Sequence, residues 1–146
     1  HGDSAAVDVR DRQSRLVVGA IGDAGRIVKE LGDGLMLWFD EPDTGFSSTQ
    51  SILESVAEAR DAAAFPLAVR MGMHVGDVIE RGDDIVGHAV NIAARVTDLA
   101  GPGELLVTDD VVRSLDASGR SAAFRPVGPA RVKGVAEPIW LHRLAT

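Results

Sequence analysis

Asn91, Arg95 and Asp98 are the residues whose types and spacing point most directly to chemistry. They stand at i, i+4 and i+7 in a stretch, Gly87 to Ala100, that the spacing predicts to be a helix, so all three share one face. An amide and a guanidinium one turn apart can hold a sugar and a phosphate. The amide donates and accepts, and the guanidinium presents a planar fork of donors that matches phosphate oxygens. A solvated polar face is the ordinary reading of such a pattern. Faces of that kind tend to be rich in Lys and Glu, however. Here one amide and one guanidinium stand among Ala89, Val90, Ile92, Ala93, Ala94, Val96 and Leu99. Asp33 is the second candidate, a single carboxylate between Gly32 and Gly34. Asp-Gly is good turn chemistry and most such pairs mean nothing more. The same arrangement also suits a metal ligand on a rigid hairpin, with bare backbone that lets a phosphate approach. Both readings stand on these residues alone. His74 sits in an alternating, strand-like run, where a packed or hydrogen-bonded histidine is the expected role.

These residues need a scaffold. Ala5 to Ile21 reads as a helix, with Val9, Leu16, Val17, Ala20 and Ile21 on one face. Arg26–Leu31 and Gly34–Phe39 read as two antiparallel strands around the Gly32-Asp33-Gly34 turn. Glu41 to Gly45 reads as a loop. A second helix follows, with Ser47 and Gln50 in a capping-box pattern, an apolar stripe at Ile52, Val56, Ala59 and Ala63, and a stop at Phe65-Pro66. Leu67 to Val78 alternates as a strand does, and Glu80 to Asp84 is a polar connection. Gly101-Pro102-Gly103 closes the third helix. Glu104 to Thr108 is a short strand, and Thr108 or Asp109 caps a short helix through Leu115. Asp116 to Arg120 is a polar loop. Phe124–Lys133 and Pro138–Leu144 form a closing strand pair. Helices and strands interleave, but the tight hairpins favour an antiparallel or mixed sheet over a doubly wound parallel one.

Composition narrows the function. The 146 residues suit one domain, spanning residues 1–146, with a real core. With no cysteine there is neither a disulfide framework nor a thiolate zinc site, and a reducing cytoplasm is compatible. No apolar run approaches the ~20 residues of a membrane span. A net charge of −7 argues against a nucleic acid partner but leaves room for a small nucleotide, which needs only a few local cations and a metal.

Four motifs in order, GRIVKELGDGLMLWF, RMGMHVGDV, DDIVGHAVNIAARV and RVKGVAEPI, resemble the catalytic domain of class III nucleotidyl cyclases. The nearest likeness is to bacterial adenylate cyclases with a short arm before the third helix. Each motif alone is weak; KxxGDG followed at this distance by DxxGxxVNxAxR is specific. The resemblance covers about residue 5 to residue 144. It implies an α+β fold with a ferredoxin-like βαββαβ core, a mixed or antiparallel sheet flanked by helices, and a head-to-tail homodimer with two shared active sites. By position it makes Lys29 and Asp84 the pair that selects the base, Asn91 the residue that positions the ribose, and Arg95 the one that stabilises charge on the α-phosphate. It makes Lys133 a contact of the triphosphate and Asp33 the second of two metal-binding aspartates. The implied cofactors are two divalent cations, Mg²⁺ or Mn²⁺. The family's first metal aspartate lies on a strand before the first helix. No such strand precedes that helix here, and none of Asp3, Asp8 and Asp11 has the apolar context, so the sequence reads as a fragment lacking the first strand. Asp33 alone cannot ligate two metals.

The expected activity is therefore conversion of ATP to cyclic AMP and pyrophosphate by a cytoplasmic homodimer, with this fragment by itself inactive. The alternative is a non-catalytic cyclase-like domain that senses a nucleotide or dimerises. Intact Lys29, Asp33, Asp84, Asn91 and Arg95 speak against it, and the missing strand speaks for it. A diguanylate cyclase of related fold lacks its GGDEF or GGEEF signature at the hairpin.

Overall fold

The computed structural model describes residues 2–31, 34–61 and 69–145. The chain divides into two compact units, His1–Ala68 and Val69–Thr146. The first contains helix α1 (Gly2–Ile21), strands β1 (Arg26–Leu31) and β2 (Gly34–Trp38), and helix α2 (Pro42–Asp61). The two helices pack on each other. Val17 and Ile21, one turn apart in α1, are buried, as are Phe46, Ile52 and Val56 of α2. Each such side chain stabilises the fold by about 1.5–3 kcal/mol.

The hairpin pairs antiparallel from Arg26↔Trp38 to Leu31↔Gly34. Its register slips between Ile27 and Lys29, which makes Val28 an extra residue and brings Lys29 opposite Met36. A bulge of this kind bends the strand and re-aims the side chain that follows it. Asp33 lies outside the described residues, as do Ala63, Leu67 and the expected helix stop at Phe65-Pro66.

The Glu41–Gly45 stretch is not the loop that the sequence predicts. It forms the first turn of α2, and the Gly45 N–H donates to the Glu41 carbonyl at 3.0 Å. Pro42 opens the helix with its φ already helical and its missing N–H not needed, and Asp43 meets the positive end of the helix dipole. Ser47 therefore lies inside the helix rather than capping it.

The second unit runs β3 (Met71–Met73), β4 (Ile79–Arg81), β5 (Asp84–Val86), α3 (His88–Leu99), β6 (Leu105–Thr108), α4 (Asp109–Ser114), β7 (Phe124–Ala130) and β8 (Ile139–Leu144). Four strands form one mixed sheet in the order β3-β6-β8-β7. β3 and β6 are parallel, and the other neighbours are antiparallel. The architecture is the α+β class expected, with mixed and antiparallel sheets flanked by helices.

Two local expectations fail here. Among the described residues of the strand predicted over Leu67–Val78, only Met71–Met73 is a strand, in parallel register with Leu105, Leu106 and Val107. The polar stretch Glu80–Asp84 is a β-hairpin rather than a plain connection. Arg81 faces Asp84 across a Gly82-Asp83 turn, and Glu80 pairs with buried Ile85. The Asp116–Arg120 region holds two short 3-10 turns, Asp116–Ser118 and Arg120–Ala123.

Helix α3 lies on β3 and β6. Ile92 and Val96 form a buried cluster with Ala100, Leu106 and Leu141. The approach is close enough to need glycine. A Cβ on Gly72 would stand 2.7 Å from the Cα of Thr97, and one on Gly76 would stand 2.8 Å from the Cβ of Ala89. Helix α4 packs on the same sheet through β6 and β8. Leu141 belongs to the α3 cluster, so its neighbour His142 points to the other face, where it meets Asp109 of α4.

Candidate active site

Helix α3 carries two of the expected site residues, Asn91 and Arg95. Burial of Ile92 and Val96 pins one side of the helix to the sheet, and the two glycines let it sit low. The 3.6-residue repeat then leaves Asn91, Arg95 and Asp98 on the exposed side, as the spacing predicts. The Arg95 side chain is 49% exposed, and its Nη1 lies 3.9 Å from Oδ2 of Asp98. An exposed pair like this is worth about 0.2–1 kcal/mol. Arg95 therefore keeps a charged fork within reach of solvent.

Asp84 opens β5, directly before buried Ile85. The Ile85 N–H donates to Oδ1 of Asp84 at 2.8 Å. One carboxylate oxygen is thus oriented by the backbone of a residue that cannot move without opening the core. Lys133 follows buried Val132 in the turn between β7 and β8, where the Val135 N–H donates to the Val132 carbonyl at 3.1 Å. Its side chain is exposed. Asp84, Asn91, Arg95 and Lys133 thus belong to the Val69–Thr146 unit, and half-buried Lys29 belongs to the other.

Among the described residues no three His, Cys, Asp or Glu side chains come together as a metal-binding group. Asp33 lies outside them. The described donors therefore do not by themselves make a site for two divalent cations.

Sequence reading missed a polar network where β6 runs into α4. His74 Nδ1 lies 2.7 Å from the Thr108 hydroxyl and 4.0 Å from an Asp110 oxygen. The Thr108 side chain is engaged there and makes no capping hydrogen bond to α4, which begins beside it. Burial lowers the His74 pKa from its usual value; Asp110 opposes that shift and His88 adds to it. His142 Nε2 is 2.9 Å from Asp109, and Arg113 pairs with both Asp109 and Asp110. His74 is thus a partly buried, hydrogen-bonded residue, as its strand context suggests. Its hydrogen-bond partner was not legible, because Thr108 lies 34 positions away in the chain.

Comparison with known proteins places the chain. Residues 21–144 match the family model of the adenylate and guanylate cyclase catalytic domain. A pH-sensitive adenylate cyclase of Mycobacterium tuberculosis is 32% identical over 121 residues, 80% of this chain and 29% of that protein. A putative adenylate cyclase of Rhizobium meliloti is 29% identical over 118 residues, 79% of this chain and 20% of that protein. The chain thus spans less than a third of the length of these relatives. The crystal structure of an adenylate/guanylate cyclase/hydrolase from Silicibacter pomeroyi superposes with a TM-score of 0.81 at 27% identity, covering 96% of this chain and 85% of that one. No helix among the described residues is long and apolar enough to cross a membrane. The chain belongs to the class III adenylate and guanylate cyclase catalytic domain family.

Proposed function

We propose that the chain is the catalytic domain of an adenylate cyclase, which converts ATP to 3′,5′-cyclic AMP and pyrophosphate. The observation that carries the choice of base is the donor–acceptor character of Lys29 and Asp84. Adenine presents an acceptor at N1 and a donor at N6. Lysine has only donors and an ionised aspartate only acceptors, so Lys29 suits N1 and Asp84 suits N6. Guanine offers the reverse, an acceptor O6 and a protonated N1. The backbone bond from Ile85 to Asp84 supports this reading, because an anchored carboxylate discriminates better than a loose one.

In the reaction the 3′-oxygen of ATP attacks the α-phosphorus in line. The O3′–P bond forms, the bond to the bridging oxygen of pyrophosphate breaks, and the 3′-hydroxyl proton is released. Asn91 orients the ribose, and Arg95 donates to the α-phosphate oxygens as charge develops on them. Lys133 holds the triphosphate. Loss of a preorganised donor such as Arg95 costs ~10²–10³ in rate. Two divalent cations, Mg²⁺ or Mn²⁺, would supply Lewis-acid charge on the phosphates. Asp33 is this chain's candidate ligand for them. The active form is a homodimer with two shared sites, each combining Asp33 of one protomer with Asn91 and Arg95 of its partner.

The test is turnover of ATP and of GTP by the complete gene product with Mn²⁺ or Mg²⁺. ATP should be preferred by ~10⁴ or more, since a base of the wrong pattern leaves polar groups unpaired. Equal rates would remove the assignment of Lys29 and Asp84. No cyclic nucleotide from either substrate would favour a non-catalytic nucleotide-sensing or dimerisation module.

A further inference from the structure

Asp98 stands in the last turn of α3, a helix with no basic residue in that turn. A carboxylate there faces the negative end of the helix dipole, so the helix gains nothing from it. Its side chain is 71% exposed, so the core does not need it either. Among the described residues its ion-pair partner is Arg95, three residues earlier on the same exposed side. The 3.9 Å separation is too long for a hydrogen bond, and both groups face solvent. A phosphate can form two short, charge-assisted bonds to the same guanidinium fork and would displace the carboxylate.

We propose that Asp98 is a positioning residue that acts as an internal counter-anion for Arg95, restraining the guanidinium in the free protein and giving way to the phosphate of a nucleoside triphosphate. The inference rests on the reading of Arg95 as the α-phosphate ligand. Asp98 then sets how tightly the site takes substrate: the phosphate must compete with a tethered anion at each binding event. Removing that anion strengthens binding of ground state and transition state alike, which lowers KM and leaves kcat unchanged.

The experiment compares the wild type with Asp98→Asn, Asp98→Glu, Arg95→Ala and the Arg95→Ala/Asp98→Asn double variant, each in the complete gene product. The probe is 3′-deoxy-ATP with Mn²⁺, which lacks the attacking hydroxyl and cannot turn over. Asp98→Asn should tighten its Kd about two- to five-fold at low salt, the range for an exposed ion pair. The gain should fade at about 0.5 M salt, as screening weakens the wild-type pair. Asp98→Glu should return the Kd towards wild type. KM for ATP should fall in parallel with no change in kcat, and the melting temperature should not fall. In the Arg95→Ala background Asp98→Asn should change nothing. If Arg95→Ala weakens binding but Asp98→Asn leaves it unchanged or weaker, the counter-anion role is wrong and the site reading stands. If Arg95→Ala itself leaves the Kd unchanged, the reading of Arg95 fails and takes this inference with it.

Discussion

Substituting Gly72 with alanine should damage stability and catalysis together. Gly72 lies in β3, beneath the last two turns of α3. The new Cβ would stand 2.7 Å from the Cα of Thr97, whereas ordinary contact begins at 3.4 Å. It would also collide with the Thr97 amide nitrogen and hydroxyl. A backbone cannot rotate out of the way, so α3 must retreat by at least about 0.7 Å. The same hydroxyl donates to the Ala93 carbonyl at 2.8 Å, which ties it into the helix. Overpacking of this kind costs about 1–3 kcal/mol. Val96 is fully buried one residue from the clash and Ile92 one turn earlier, so the retreat loosens the cluster they form with Leu106 and Leu141. Arg95 rides on the same turn. A misplacement of ~1 Å in a catalytic group can cost ~10² in rate. Urea melts followed by far-UV circular dichroism should lose about 1–3 kcal/mol, and kcat should fall ten- to a hundred-fold in conditions where the protein is still folded. Gly76→Ala gives the matching control at the other end of the helix. There the contact is side chain to side chain, Cβ of Ala89 at 2.8 Å, so adding Ala89→Gly should recover most of the loss, less about 1 kcal/mol for glycine in a helix. A Gly72→Ala protein with wild-type melts and wild-type kcat would refute the argument that the glycine sets the height of α3.

Two more outcomes can be checked. Asp33→Ala and Arg95→Ala proteins should each be inactive, and mixing them should restore activity up to about a quarter of wild type if half the dimers are mixed and sites act independently. Absence of recovery despite demonstrated subunit exchange would mean that both residues serve one protomer's site. Burial holds the His74 pKa below its usual 6.5, so between that value and the folded-state pKa the unfolded chain binds more protons than the folded one. Stability should therefore fall as pH drops below about 6.5, with no contribution from this group above it. His74→Gln should flatten that part of the profile in urea titrations from about pH 5 to 7.5.

The local sequence determined the elements whose signals are carried by near neighbours. Helix α3 was legible because its apolar residues repeat every three or four positions and Gly101-Pro102-Gly103 ends it. The β1–β2 hairpin and the β7–β8 pair were legible from alternation and turn glycines, and the exposed trio Asn91, Arg95 and Asp98 from helical spacing alone. The order of the motifs was enough to point to the family. What the sequence left undecided depends on partners distant in the chain or on competition between local signals. Pro42 outcompeted Ser47 as the start of α2, because a helix begins at the earliest residue that supports it. In the alternating run, the length of β3 is set by its pairing with β6, 34 positions further along the chain, and alternation within the run does not encode it. The bulge at Val28, which brings Lys29 opposite Met36, has no signature in RIVKEL and emerges only from pairing with β2. The hydrogen bond between His74 and Thr108 is likewise a product of tertiary structure. Backbone periodicity is written within one turn or one strand of each residue. Register, strand length and polar partnership are settled only when segments far apart in the chain compete for the same surface.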